Sequence, residues 1–284
     1  MCVPGTLETV RERSELEGVP RVSRRVALAT GAGAVTAAAL PGAASAGGRE
    51  RHSGGRRGHL VDLSHVLSDD FPVFPGAPET SRETRVTIPD NGFYGQVWTL
   101  WEHIGTHMDV PAHFILGGRF SPEIPLEELV APVVVVDISE RVASEPDTVV
   151  TPDDLARFER RHGRIPRDAV VAMYSGWETR AGSVAAYQNM DAGGTMRFPG
   201  FGKDAVDWLL KRRRIRGIGV DTMSLDHGSS ATFDVHLTVL GADHYGVENL
   251  RNLKQLPPRG ATILLGLIPW HEGSGGPCRA FASV

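Results

Sequence analysis

His103-Ile104-Gly105-Thr106-His107-Met108-Asp109-Val110-Pro111-Ala112-His113 gathers three of the chain's eleven histidines and an aspartate, all at odd positions. Side chains of an extended segment repeat every second residue, so His103, His107, Asp109 and His113 would share one face. A helix would place His103 over His107 but rotate Asp109 and His113 away. Gly105 and Pro111 also disfavour a regular helix, which leaves a bent, extended segment as the expectation. Imidazole and carboxylate together form a ligand set for zinc, manganese or iron, completed by further ligands from elsewhere in the chain.

The flanking sequence supplies the scaffold. Alternation over Gln96 to Trp101 reads as a strand running into the cluster, and Leu60 to Leu63 as a shorter one. Phe71-Pro72-Val73-Phe74-Pro75-Gly76-Ala77-Pro78 holds too much proline for regular structure. Beyond the cluster, apolar runs at 133–138, 169–174, 217–220 and 262–268 alternate with helical patterns at 152–162, 203–213 and 232–240. Thr151-Pro152-Asp153-Asp154 combines a cap residue, proline at the first helical position and acids in the first turn. This order implies a single α/β domain, a mixed β-sheet with flanking helices, beginning near His59. No internal repeat is apparent. Phe93, Tyr94, Trp98 and Trp101 read as core, or as the wall of a pocket.

The chain has 284 residues, 41% hydrophobic and 23% charged, with a formal net charge of −4, as in ordinary globular proteins. Its one basic run, Lys211-Arg212-Arg213-Arg214, ends a helical pattern and reads as a solvated helix terminus favoured by the dipole. Nucleic acid is therefore not an expected partner. Residues 1–46 differ from the rest: a polar stretch ending in Arg24-Arg25, an Ala/Gly-rich apolar run to Leu40, then Ala44-Ser45-Ala46. That is the layout of a twin-arginine signal peptide, and the apolar run falls short of the roughly 20 residues that a stable membrane anchor needs. Export follows as an expectation, with residues 47–58 as a flexible Gly/Arg/Ser linker. Cleavage after Ala46 would leave Cys278 as the only cysteine, excluding an internal disulfide. Cys278 has no activating neighbour in the sequence and reads as packing.

The motif H-x-G-T-H-x-D-x-P-x-H resembles the signature of the cyclase family, which includes bacterial kynurenine formamidases and isatin hydrolases. Phe74-Pro75-Gly76 is similar to that family's aromatic-Pro-Gly loop, and Ser175-Gly176-Trp177 to its Thr-Gly-Trp strand end. Asp221-Thr222-Met223-Ser224-Leu225-Asp226 is similar to its Asp-Thr-x-Ser-Ile-Asp segment. The tail Gly273 to Pro277 also fits.

The resemblance implies a swivelling β/β/α fold and a homodimer or larger homo-oligomer. It further implies a binuclear centre of two divalent ions, zinc or manganese. His103 and His107 would bind one ion, His236 the other, and Asp109 and Glu248 would bridge. His236 and Glu248 have the family's twelve-residue spacing, with His244 as a rival to His236. His113 would be the general acid/base, and Phe74 would face the substrate. His65, His227, Asp221 and Asp226 would be structural or would orient a ligand. The implied reaction is hydrolysis of a small amide, formamide, lactam or ester, with hydroxide on the metals as nucleophile and no serine or cysteine nucleophile. The alternatives are a metal-dependent ring closure or dehydration, and a non-catalytic metal-binding protein. Phe74 where the formamidases often have tryptophan, and Ala77 in place of an acid, leave the substrate open, as does export.

Overall fold

The computed structural model describes residues 58–284. The signal-like segment and residues 47–57 of the linker lie outside the described residues. In chain order the strands are β1 (Leu60–Asp62), β2 (Ser81–Val86), β3 (Gly95–Thr99), β4 (His107–Asp109), β5 (Val130–Asp137), β6 (Val149–Val150), β7 (Ala169–Tyr174), β8 (Gly200–Phe201), β9 (Ile215–Val220), β10 (Tyr245–Glu248), β11 (Arg259–Leu267) and β12 (Gly275–Ser283). The helices are α1 (Ile88–Asn91), α2 (Ser139–Val142), α3 (Pro152–His162), α4 (Val184–Gln188), α5 (Lys203–Arg212) and α6 (Asp234–Gly241).

Residues 82–98 form a compact unit of their own. Here β2 and β3 pair around α1, which ends on Gly92 at φ 78°. The Arg82 guanidinium lies 5.4 Å from the centre of the Trp98 ring. The expected strand over 96–101 is therefore β3, which ends at Thr99 and leaves Trp101 outside it.

The main unit is a mixed α/β structure whose sheet runs β1-β12-β11-β5-β7-β9-β10-β4. An additional pairing of β4 with β12 closes seven of these strands into a ring. Neighbours among β5, β7, β9 and β10 are parallel, and the other pairings are antiparallel. Parallel strands are covered on both faces, which explains their unbroken apolar runs. In β5, Val134 and Val136 enter one core with Leu155 and Phe158 of α3 and Leu209 of α5, while Val133 and Val135 enter a second core with Ala261, Ile263 and Ala280. Each such buried valine contributes roughly 1.5–3 kcal/mol.

Helix α3 starts where the capping pattern predicts. Thr151 accepts from the Asp154 N–H at 3.3 Å and the Asp154 carboxylate accepts from the Thr151 N–H at 2.9 Å, with Pro152 opening the first turn. Arg141 adds a two-point contact to Asp154 at 3.0 and 2.8 Å. Helix α6, by contrast, follows Phe233 in the left-handed region at φ 52° and has no side-chain cap of its own. Its cap arrives from a distant residue, described below.

Candidate metal centre

Strand β4 is the base of the site. His107 and Asp109 alternate along it, so both point to the same face, and both are buried. Strand β10 runs antiparallel beside it with Glu248 opposite His107, and β12 lies on its other edge with Gly275 opposite Asp109. The His103 ring packs over that edge: a Cβ on Gly275 would come within 2.4 Å of the Met108 carbonyl and 2.8 Å of His103 Cε1, so only glycine fits. Gly105, at φ 60°, provides the turn that brings His103 back over the strand. After Asp109 a short 3₁₀ turn, Pro111–His113, returns His113 to the same place, its ring stacked on His103 with centroids 3.7 Å apart. The segment is thus bent and extended, but the four residues converge by two turns and not by continuous alternation.

His236 arrives from α6. The Asp226 carboxylate accepts from the Val235 N–H at 2.9 Å and the His236 N–H at 3.2 Å, standing in for the missing cap, and binds His236 Nδ1 at 2.6 Å. That bond directs Nε2 inward. The Gly105 carbonyl does the same for His107, 2.9 Å from its Nδ1.

The inward faces then meet. His107 Nε2 lies 3.3 Å from Asp109 Oδ1 and 3.4 Å from Glu248 Oε2; His236 Nε2 lies 3.5 Å from Asp109 Oδ2 and 3.2 Å from Glu248 Oε1. Each carboxylate therefore offers one oxygen to each imidazole. His103 Nδ1 sits 2.7 Å from Asp109 Oδ1, and its Nε2 is 2.9 Å from Ser274 Oγ, which in turn donates to Glu102 at 2.6 Å.

Two buried carboxylates so close together need positive charge. Burial, reinforced by the charge of Asp109, raises the pKa of Glu248. Burial works to lower His107, but Asp109 and Glu248 override it and hold the imidazole up at about 9; His236 is raised well above its usual value in the same way, against burial, by Asp109, Asp226 and Glu248. Asp109 Oδ2 is buried without a hydrogen-bond partner. A divalent cation would supply the missing charge and the missing partner, and the donors match its preferences. His103, Asp109 and His113 form one set of atoms close enough to share an ion, and His107, Asp109 and Glu248 another.

His113 differs from its neighbours. Burial, the largest cause, lowers its pKa to about 4 together with the charges of His103, His236 and His107 and against the pull of Asp109, so its ring is neutral at pH 7.

The cluster opens into a cavity of about 380 Å³. Its walls include Phe74 and Trp101, as the sequence suggested, Met223 of the Asp221 to Asp226 segment, and also Phe114 and Phe233, which no sequence pattern marked. The Phe233 ring lies 6.0 Å from Phe74 and 5.6 Å from Phe114. Ser224 and Asn249 interrupt this apolar lining, and Ser224 Oγ is buried without a partner. Phe93, Tyr94 and Trp98 belong to the 82–98 unit.

Three further described histidines lie elsewhere. His244 is away from the imidazole cluster, in the electrostatic neighbourhood of Asp243, Glu128, Arg216 and Arg119. His227 pairs with Asp147 at 3.3 Å, and His65 packs against Phe71 with its pKa lowered to about 4 by burial and Arg251. Asp221 does not reach a ligand imidazole; it accepts from the Ser175 and Trp177 backbones instead. The Cys278 thiol is pushed up to about 12 by burial and the nearby Asp109 charge, which leaves it inert.

The sequence profile of the Cyclase family matches residues 61–227, more than half of the chain. This chain belongs to the Cyclase family. Among curated Cyclase-like relatives, the isatin hydrolase of Roseibium aggregatum is 33% identical over 242 residues, spanning 79% of this chain and 91% of that protein. The kynurenine formamidase of Bordetella pertussis is 30% identical over 193 residues, covering 68% and 82%. Among solved structures, isatin hydrolase A from Ralstonia solanacearum superposes with a TM-score of 0.75 at 36% identity, over 80% of this chain and 92% of that one. An isatin hydrolase bound to the product analogue thioisatinate gives 0.76 at 30% identity, over 80% and 93%.

Proposed function

We propose that this Cyclase-family chain is a metal-dependent hydrolase that cleaves a small amide, with an aryl lactam of the isatin type as the first substrate to test. The observation that carries the reading is the buried Asp109–Glu248 pair, flanked by inward-facing imidazole nitrogens and left with an unpartnered oxygen. The substrate class rests on the names of the relatives and on the aromatic walls around that pair.

His103 and His107 would hold one divalent ion, zinc or manganese, and His236 a second, with Asp109 and Glu248 bridging. The way each carboxylate divides its oxygens between His107 and His236 supports two positions. Bound there, such ions supply Lewis acidity and lower the pKa of water from about 15.7 toward about 7.

The chain's own groups do the rest. Phe74, Phe114 and Phe233 seat a flat ring and exclude bulk water. Ser224 Oγ is an unpartnered polar group in that wall, placed to hydrogen-bond the substrate's heteroatom edge. His113, neutral and beside the cluster, accepts a proton on a ring nitrogen as water attacks and returns it to the departing amide nitrogen. Asp226 and the Gly105 carbonyl engage Nδ1 of the ligand imidazoles, so Nε2 is the atom each would turn to a metal. Two features lie beside the chemistry and complete the proposal. Export rests on the Arg24-Arg25 signal, and a homo-oligomer on the family resemblance.

The test is turnover of isatin and of an N-formyl arylamine by protein stripped with a chelator and reloaded with zinc or manganese. Ring opening that depends on the added metal is expected. Reloaded, folded protein that cleaves no amide, lactam or ester would overturn the reading.

A further inference from the structure

Glu248 must present one carboxylate oxygen to His107 and the other to His236, so its backbone has to be fixed closely. Yet it is the last residue of β10, and the parallel ladder with β9 already ends one residue earlier, at Val247 opposite Gly219. Beyond that point Glu248 is held by its pairing with His107 of β4 and by the Leu225 N–H, which donates to its Oε1 at 2.9 Å, and the chain that follows is held by Asn249. This residue is buried and left-handed at φ 54°, a conformation that asparagine tolerates better than most non-glycine residues. Three of its four polar groups go to different segments. Its N–H donates to the Thr222 carbonyl at 2.8 Å, its carbonyl accepts from Thr106 Oγ of the histidine motif at 2.6 Å, and its side-chain Oδ1 lies 2.7 Å from the Tyr187 hydroxyl.

Tyr187 is itself fixed. It is fully buried, its carbonyl accepts from the Trp177 indole at 2.8 Å, and its hydroxyl also lies 3.2 Å from the Asp221 carbonyl. Asp221 anchors the same neighbourhood through Ser175, whose hydroxyl donates to it at 2.5 Å, and through the Trp177 N–H at 3.1 Å. These buried groups connect the ends of β7 and β9 to the residue that follows Glu248, without touching the carboxylate.

We propose that Asn249, held through its side chain by Tyr187, is a positioning residue that sets the Glu248 carboxylate for divalent-metal binding. The inference rests on the reading of Glu248 as a metal ligand. Partners one step removed from a metal site commonly change its affinity by about 10- to 100-fold.

The experiment measures zinc and manganese affinity of the full chain, stripped of metal and titrated against a fluorescent chelator, with circular dichroism of the metal-free protein alongside. Tyr187→Phe, which removes one hydroxyl, should weaken binding by about 10- to 100-fold while the metal-free protein keeps its spectrum. Asn249→Gly, which keeps the left-handed backbone and deletes the amide, should give a similar loss. The double variant should lose little more than either single one, because both break the same link. Where Tyr187→Phe fails to fold, Asn249→Gly carries the test. Affinities within twofold of wild type for the folded single variants, beside a clear loss for Glu248→Ala, would overturn this inference alone. Undiminished affinity in Glu248→Ala would overturn the ligand reading beneath it.

Discussion

Replacing Asp226 separates two roles that one carboxylate performs at the start of α6. Its oxygens accept the Val235 and His236 N–H groups at 2.9 and 3.2 Å and bind His236 Nδ1 at 2.6 Å. Burial works to raise its pKa, but His236 and these donors keep it below the usual carboxylate value. In Asp226→Ala the helix loses its cap, about 1 kcal/mol, and the imidazole loses a charge-assisted bond, about 2 kcal/mol. A total near 3 kcal/mol would lower the melting temperature by roughly 6–12 °C for a domain of this size. In Asp226→Asn the shape and one acceptor survive, so the loss of stability should be smaller. Metal affinity should follow the opposite order. The amide nitrogen opposes a backbone N–H at either position. At the Oδ2 position it opposes the longer contact, the His236 N–H at 3.2 Å against 2.9 Å for Val235, and the imidazole there can reverse its polarity, so the nitrogen settles against Nδ1 and drives the ring proton to Nε2. That nitrogen faces Glu248 and Asp109, and once protonated it has no lone pair for a metal. Affinity should fall by about 10- to 100-fold in the alanine variant and at least as far in the asparagine variant. Chelator competition measures affinity and thermal melting of the metal-free proteins measures stability. An asparagine variant that binds metal as tightly as wild type, or more tightly than the alanine variant, would refute the reasoning.

His113→Ala should retain metal and fold while kcat falls by about 10²- to 10⁴-fold, most for poor amide leaving groups; loss of metal instead would make it a ligand. Gly275→Ala drives a methyl into the Met108 carbonyl and His103, so it should cost about 1–3 kcal/mol of stability, read from urea unfolding, and should weaken metal binding. Asp221 gives a pH signature, because burial holds its pKa at about 7 against 3.8 for the free side chain. Below about pH 4 it is neutral in both states. Between pH 4 and 7 the unfolded chain ionises while the folded chain keeps its proton, so its contribution to stability falls as pH rises and levels off above 7. Asp221→Asn lacks that titration, so wild type should lose stability relative to it between pH 4.5 and 7.5 in urea unfolding with chelator present. Parallel pH profiles would contradict this.

Much of this architecture can be read from local sequence. Helix α3 and strand β7 match their patterns end to end, because Thr151-Pro152 marks a start by local chemistry and Ala169 to Tyr174 is apolar on both faces. Strand β12 was hidden by Gly275-Gly276-Pro277, which reads as a turn, although Gly275 is there to make room for the His103 ring. Helix α6 lacks a cap in its own sequence because Asp226 supplies one from eight residues before Asp234. The histidine motif announced itself by spacing. The walls did not: Phe114 and Phe233 look like ordinary residues until tertiary packing brings them around one cavity, and Ser224 stood in the Asp221 to Asp226 segment without a role.

The central claim is that Asp109, Glu248 and the surrounding imidazoles form a divalent-metal site, and elemental analysis tests it most directly. Protein loaded with zinc or manganese and then desalted should carry up to two ions per chain, with Asp109→Ala retaining less than His103→Ala because its carboxylate serves both positions. Folded wild-type protein that keeps no divalent ion after loading, or an Asp109→Ala variant with full metal content, would contradict the account.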